Sequence, residues 1–158
     1  MPSTAAHHID DELRAFFLGP VSSMLGTADQ LHTPDATRVA GIAPLTSTRV
    51  RVLIAADAAA AQTNAALGAR CSLLVTDITN YRSIQWKGTV ARESHERTPG
   101  DLAVMHRHID AFDVGAKQVR LLPGVVHALF PVDVVALEIE LDSRYDQTPG
   151  PGAGRRVA

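Results

Sequence analysis

Apolar residues recur along this chain at two spacings, every second position in some stretches and every third or fourth in others. The two spacings separate strands from helices. Asp10-Asp11-Glu12 places negative charge where a helix N-terminus favours it, with Leu13, Phe16 and Phe17 on one face and Gly19-Pro20 as the stop. Val21 to Ala28 reads as a strand, Asp29 to Pro34 as a turn, and Thr37 to Ala43 and Arg49 to Ala55 as further strands. In the last of these Val50, Val52 and Ile54 point one way; Arg49 and Arg51 point the other, toward solvent or the rim of a dimer. An alanine-rich helix is expected from Asp57, as N-cap, to Leu67, closed by Gly68. Strands follow over Arg70 to Thr76 and Ser83 to Glu93, joined by the turn Asp77 to Asn80. The second carries Ile84, Trp86 and Val90 on one side and Ser83, Gln85, Lys87 and Thr89 on the other. Thr98-Pro99-Gly100-Asp101 is a capping box with proline at the first helical position, and Leu102, Met105, Ile109 and Phe112 continue it at helical spacing. After a helical or irregular stretch from Gly115 to Pro131, the strand Val132 to Leu141 turns Val135, Leu137, Ile139 and Leu141 inward.

The order is helix, three strands, helix, two strands, helix, strand, and the short turns between strands argue for a mostly antiparallel sheet. A mainly β fold follows, a six-stranded closed or split barrel with peripheral helices. The 158 residues suit one domain spanning 1–158, with a disordered start at 1–9 and a Gly/Pro-rich tail at 146–158.

Composition narrows the function without naming it. A net charge of −2 and scattered arginines give no broad attraction to nucleic acid or to an anionic membrane. The most apolar long window, Gly124 to Leu141, is broken by His127, Pro131, Asp133, Glu138 and Glu140, so no membrane span is expected. The start lacks the basic and apolar regions of a signal peptide, and a cytoplasmic location is the expectation. The single cysteine, Cys71, lies in an apolar run and reads as a buried, inert thiol. His106 and His108, two apart on a helix, point in different directions and do not chelate one ion; no metal site is expected.

Several segments in this order resemble the pyridoxamine 5'-phosphate oxidase-related, FMN-binding split-barrel family. They are the helix and strand ending "GPVSSMLGT", Val50 to Ile54, the helix to Gly68, the segment "DITNYRSIQWKG" from Asp77 to Gly88, and the ending "YDQTPGPGAGRR". The resemblance implies a six-stranded antiparallel split β-barrel, working as a homodimer with flavin mononucleotide (FMN) in clefts between subunits. It also implies flavin-dependent redox chemistry on a small molecule that the sequence does not identify.

By that resemblance Arg38 fits the arginine with which the oxidases hold the cofactor phosphate. Their partnering lysine falls at Ala43, their serine-arginine-lysine cluster at Ala59, Ala60 and Ala61, and a glutamine at Ser83. Each charge-assisted contact of this kind contributes about 1.5–3 kcal/mol, so two lost cations weaken binding by roughly a hundredfold or more. Arg82, Ser83, Gln85 and Lys87 form the best local constellation, a cofactor-lining stripe or an ordinary solvated strand face. Tyr81 would stack on the isoalloxazine ring or pack beside the turn, and Trp86 belongs to the core. Gln147, Thr148 and Arg155 of the tail would cover the cofactor, cross the dimer or fray. No residue is marked as a catalytic acid, base or nucleophile. A haem or flavin carrier without turnover, a deazaflavin-using barrel and a cofactor-free dimer are the alternative readings.

Overall fold

The computed structural model describes residues 7–157. Its elements are α1 (Asp11–Leu18), β1 (Val21–Ala28), β2 (Pro34–Pro44), β3 (Arg49–Ala55), α2 (Ala59–Asn64), β4 (Arg70–Asp77), β5 (Ser83–Glu96), α3 (Pro99–Gln118), α4 (Val125–Leu129), β6 (Val134–Asp146) and β7 (Arg155–Arg156). The strands form one antiparallel sheet in the order β3-β2-β1-β4-β5-β6-β7, and pairing of β3 with β6 closes the long strands into a barrel. The expected mainly β, six-stranded antiparallel barrel with peripheral helices is therefore present, with the two-residue β7 added by the tail.

Closure buries the inward side chains of every long strand. Val21 and Leu25 of β1, Val50, Val52 and Ile54 of β3, Leu73 and Val75 of β4, Trp86 and Val90 of β5, and Leu137, Ile139 and Leu141 of β6 share one core. Helix α1 plugs one end: the Asp10 carboxylate caps it by accepting from the Leu13 amide, and its apolar face inserts Leu13, Phe16 and Phe17, with Phe17 5.0 Å from the Trp86 ring. Burying each of these side chains is worth about 1.5–3 kcal/mol. Ile9 joins the same core and its amide donates to the Ser47 carbonyl, so the described part of the expected disordered start, 7–9, is docked; residues 1–6 lie outside the described chain.

Helix α3 decides which outer face of the barrel stays open. It lies on β2 and reaches the start of β1, and Met105, Phe112 and Ala116 form a second core with Ala40, Leu53, Ala136, Val126 and Phe130. Gly41 permits this approach, because a Cβ there would meet Leu53 Cδ1 and Val104 Cγ1 at 3.0 Å each. The buried stripe of α3 is Asp101, Met105, His108, Phe112, Gly115 and Ala116, so Leu102 and Ile109 sit at its margin instead of its centre. Beyond the start of β1, where Gly115 of α3 packs against Pro20 and Ile78, no helix among the described residues covers the outer faces of β1, β4 and β5, and Ser22, Met24, Gly26, Ser72, Leu74 and Thr76 there are half-exposed.

Other boundaries shift. The alanine-rich helix is only Ala59–Asn64, and Asp57 does not cap it. The tail does not fray: β7 pairs with Tyr145 and Asp146. Arg51 is not solvated. Its side chain is 13% exposed and makes a two-pronged ion pair with Asp101, at 2.6 and 2.8 Å, plus a bond of 3.2 Å to Glu138. Asp101 also closes the capping box with Thr98, so one carboxylate joins the start of α3 to the barrel wall. The Arg51 guanidinium holds the Asp101 carboxyl down to about 2. Arg49 is less buried and pairs with Glu140 at 2.8 Å.

Candidate functional site

Directly opposed residues in antiparallel strands share a face. Arg38 opposes Met24, Met24 opposes Leu74, Leu74 opposes Gln85, and Gln85 opposes Tyr145. One row on the outer face thus joins Arg38 to Gln85, about 14 Å apart at the usual strand spacing. Ser83 and Lys87 flank Gln85 on that face, and Ser22 and Thr76 lie in the adjacent row. The structure places Arg38, Gln85 and Lys87 on one outer face, with Ser83 buried at its end, while Arg82 and Tyr81 lie off it, and the six do not share a pocket.

Arg38 lies at the edge of that surface. Its guanidinium donates to Ser22 Oγ at 3.1 Å and stands 5.9 Å from the centre of the Phe130 ring. No carboxylate among the described residues pairs with it. It lines a cavity of about 500 Å³ with Thr37, Asp57, Phe130, Pro131 and Val132. A half-buried guanidinium with a hydroxyl partner and no counter-ion suits an anionic group in that cavity. Asp57 and Asp133, the latter paired with Arg97 at 2.7 Å, also line the cavity, and both act against a second negative charge.

The other candidates are already engaged. Arg82 pairs with Glu12 at 2.7 Å, lies 5.0 Å from the Phe16 ring centre, and lines a smaller cleft of about 260 Å³ beside α1. Ser83 is buried, with its hydroxyl 2.9 Å from Thr76 Oγ1, and its amide donates to Thr148 Oγ1 at 3.1 Å. Gln85 accepts from Gln147 Nε2 at 3.1 Å, so the tail covers this end of the stripe, within its own chain. Lys87 is exposed, with Nζ 4.8 Å from the Tyr145 ring centre. A plain solvated strand face is therefore not what β5 presents. Tyr81 does not pack beside its turn; it is 66% exposed and sits at φ 62, a left-handed conformation uncommon outside glycine, asparagine and aspartate.

Two residues outside the expected site stand next to the cavity, His108, expected only not to chelate a metal, and Phe130. His108 is 6% exposed, its Nε2 has no hydrogen-bond partner among the described residues, and its ring meets Phe130 edge-on at 5.6 Å. Burial, then the Arg38 and Arg107 charges, push its pKa down to about 4, so the imidazole is neutral at pH 7. The signal was in the chain: Asp101, Met105, His108, Phe112 and Ala116 recur at helical spacing and put a histidine on the buried stripe. Phe130 lay in the stretch without a clear period.

Burial raises the Cys71 thiol to about 11, which makes it unreactive, as its apolar setting implies. Among the described residues no group of three or more His, Cys, Asp or Glu is placed to hold a metal ion, and no helix is long and apolar enough to cross a membrane.

No protein-family model matches the sequence, and no curated protein matches it significantly. Solved structures do match. A Lactobacillus delbrueckii protein, provisionally assigned as a pyridoxamine 5'-phosphate oxidase, superposes with a TM-score of 0.54 at 15% identity, covering 88% of this chain and 94% of that one. The barrel is the split-barrel fold of the pyridoxamine 5'-phosphate oxidase-like proteins. An F420 reductase has the same fold, with a TM-score of 0.54 at 16% identity over 83% of this chain and 94% of its own. So does HutZ, a haem storage protein from Vibrio cholerae, at 0.50 and 13% identity over 88% and 94%. Split barrels at this level of identity thus serve different cofactors, and the chemistry has to be argued from the residues.

Proposed function

We propose that this split barrel binds FMN as a homodimer, with the cofactor phosphate at Arg38 and the ring system over the open face of β1, β4 and β5. The observation that carries the reading is Arg38, a half-buried guanidinium without a carboxylate partner, lining a cavity of about 500 Å³ at the edge of that face. Arg38 is the one cation lining the cavity among the described residues, and its guanidinium fits one anionic group. The alanines at positions 59 to 61 supply no further cation, so affinity should be lower than in a site with several. A second copy seated on Met24 and Leu74 would exclude water from the ring and bring the partner's copy of the β5 stripe toward it. Bound flavin would supply two-electron redox chemistry to a small organic substrate. The chain's own part is to hold the phosphate, cover the ring and keep water out.

Flavin fluorescence quenching tests the assignment. Arg38→Ala should weaken FMN binding by about ten- to a hundredfold, the usual loss for one charge-assisted contact, with little change for riboflavin, which lacks the phosphate. Equal affinities of wild type and variant for FMN would remove Arg38 from the site. A Soret band on adding haem, with no flavin retained, would favour the haem carrier instead; retention of deazaflavin alone would favour that coenzyme.

A further inference from the structure

Three side chains, those of Arg38, His108 and Phe112, meet at the Phe130 ring. The Arg38 guanidinium stands 5.9 Å from its centre, His108 meets it edge-on at 5.6 Å, and Phe112 at 5.2 Å. Phe130 lines the cavity; behind it lies the His108 ring, with Nε2 unpartnered. An unpaired buried polar atom costs about 1–3 kcal/mol, which is tolerated where another state of the protein satisfies it. The wall is lightly held. Residues 122–132 include the five-residue α4, and their backbone hydrogen bonds, such as Val125 to Leu122 and Ala128 to Gly124, stay inside the segment. Among the described residues, no side-chain hydrogen bond ties this segment to the barrel, and Val126, Leu129 and Phe130 anchor it by packing alone. Elements with few anchoring bonds open at low cost.

We propose that Phe130 is a gate, and that its withdrawal joins the Arg38 cavity to the His108 imidazole, so that Nε2–H and the guanidinium together hold one phosphate or carboxylate group of the ligand. This rests on the reading of Arg38 as the anion-holding residue and adds a second donor where the oxidases' cations are replaced by alanine. The neutral imidazole donates in its Nε2–H tautomer, needs no counter-charge while the gate is shut, and so remains buried in the ligand-free protein. Arg38 of β2 and Arg107 of α3 are the charged groups acting on the ring.

The test is nitrogen-resolved NMR of the histidine rings in the full chain, titrated separately with FMN, riboflavin and inorganic phosphate. His108 Nε2 should shift with FMN and with phosphate but not with riboflavin, and the shift should vanish in Arg38→Ala. His108→Phe should weaken FMN binding about tenfold or more, and Phe130→Ala should tighten it, because opening no longer opposes binding. If FMN binds in an Arg38-dependent way while His108 stays silent and His108→Phe binds like wild type, the gate is refuted and the FMN reading survives. If phosphate moves His108 but FMN is not retained, the anion site stands and the flavin reading falls. Silence toward all three ligands refutes the gate. The wild-type titration decides the matter even if His108→Phe does not fold.

Discussion

At the scale of single residues, the structure turns on where charge is held without water. His108 shows the effect most directly. Its folded pKa of about 4 lies below the ordinary value of 6.5, so between these pH values the unfolded chain takes up a proton that the folded chain refuses. Stability therefore falls as pH drops from 6.5 toward 4, by up to about 3 kcal/mol from this group alone. Urea unfolding of wild type and His108→Phe at pH 7 and pH 4.5 should show the variant gaining relative stability at the lower pH. A difference that stays constant with pH would mean that the imidazole is not buried neutral. Arg38 has the same origin seen from the other side, a charge kept half-buried without a carboxylate, which is why binding and not stability is its expected readout.

At the scale of elements, helix α3 is the piece that shapes the site, and its first turn is where it is fastened. Asp101 caps the helix through Thr98 and pairs with Arg51 of β3, both side chains being largely buried. Removing one partner of such a pair strands the other, so Asp101→Ala should cost about 3–5 kcal/mol by chemical denaturation. Glu140→Ala, which breaks the more exposed pair with Arg49, should cost about 1 kcal/mol or less. Equal losses would mean that burial does not govern these pairs. Gly88 makes a steric counterpart: a Cβ there would come within 2.2 Å of the Glu140 carbonyl oxygen, a backbone atom that cannot swing aside. Gly88→Ala should lower stability by roughly 1–3 kcal/mol, and a melting temperature equal to wild type would contradict the close β5–β6 packing.

The same elements show what a sequence can reveal. Strands β1, β3 and β5 were legible because two-period alternation depends on one buried face, and the start of α3 because its cap chemistry is local. The helix after β3 was overestimated, since alanine's helical preference is weak and Asp57 makes no cap. Of the candidate site, Arg38 and the β5 stripe were legible through resemblance. The burial of Arg51 and the placement of Phe130 beside His108 were not, because they arise from contacts between elements distant in sequence.

At the scale of the whole molecule, the barrel is covered on one side by α3 and α4, and no helix among the described residues covers the other. That second side presents Ser22, Met24, Gly26, Ser72, Leu74 and Thr76 half-exposed, in three facing pairs with Arg38 and Lys87 at the margins. A second copy of the chain placed there would complete the FMN site, and Leu74→Arg should split the pair into monomers and release the cofactor together. The most direct test of this account loads the purified protein with FMN and passes it through size-exclusion chromatography with light scattering and flavin absorbance read on the same peak. The account predicts flavin co-eluting with a particle of two chains, and both losses together in Leu74→Arg. Free flavin emerging late while the wild-type protein runs as a single chain would contradict it.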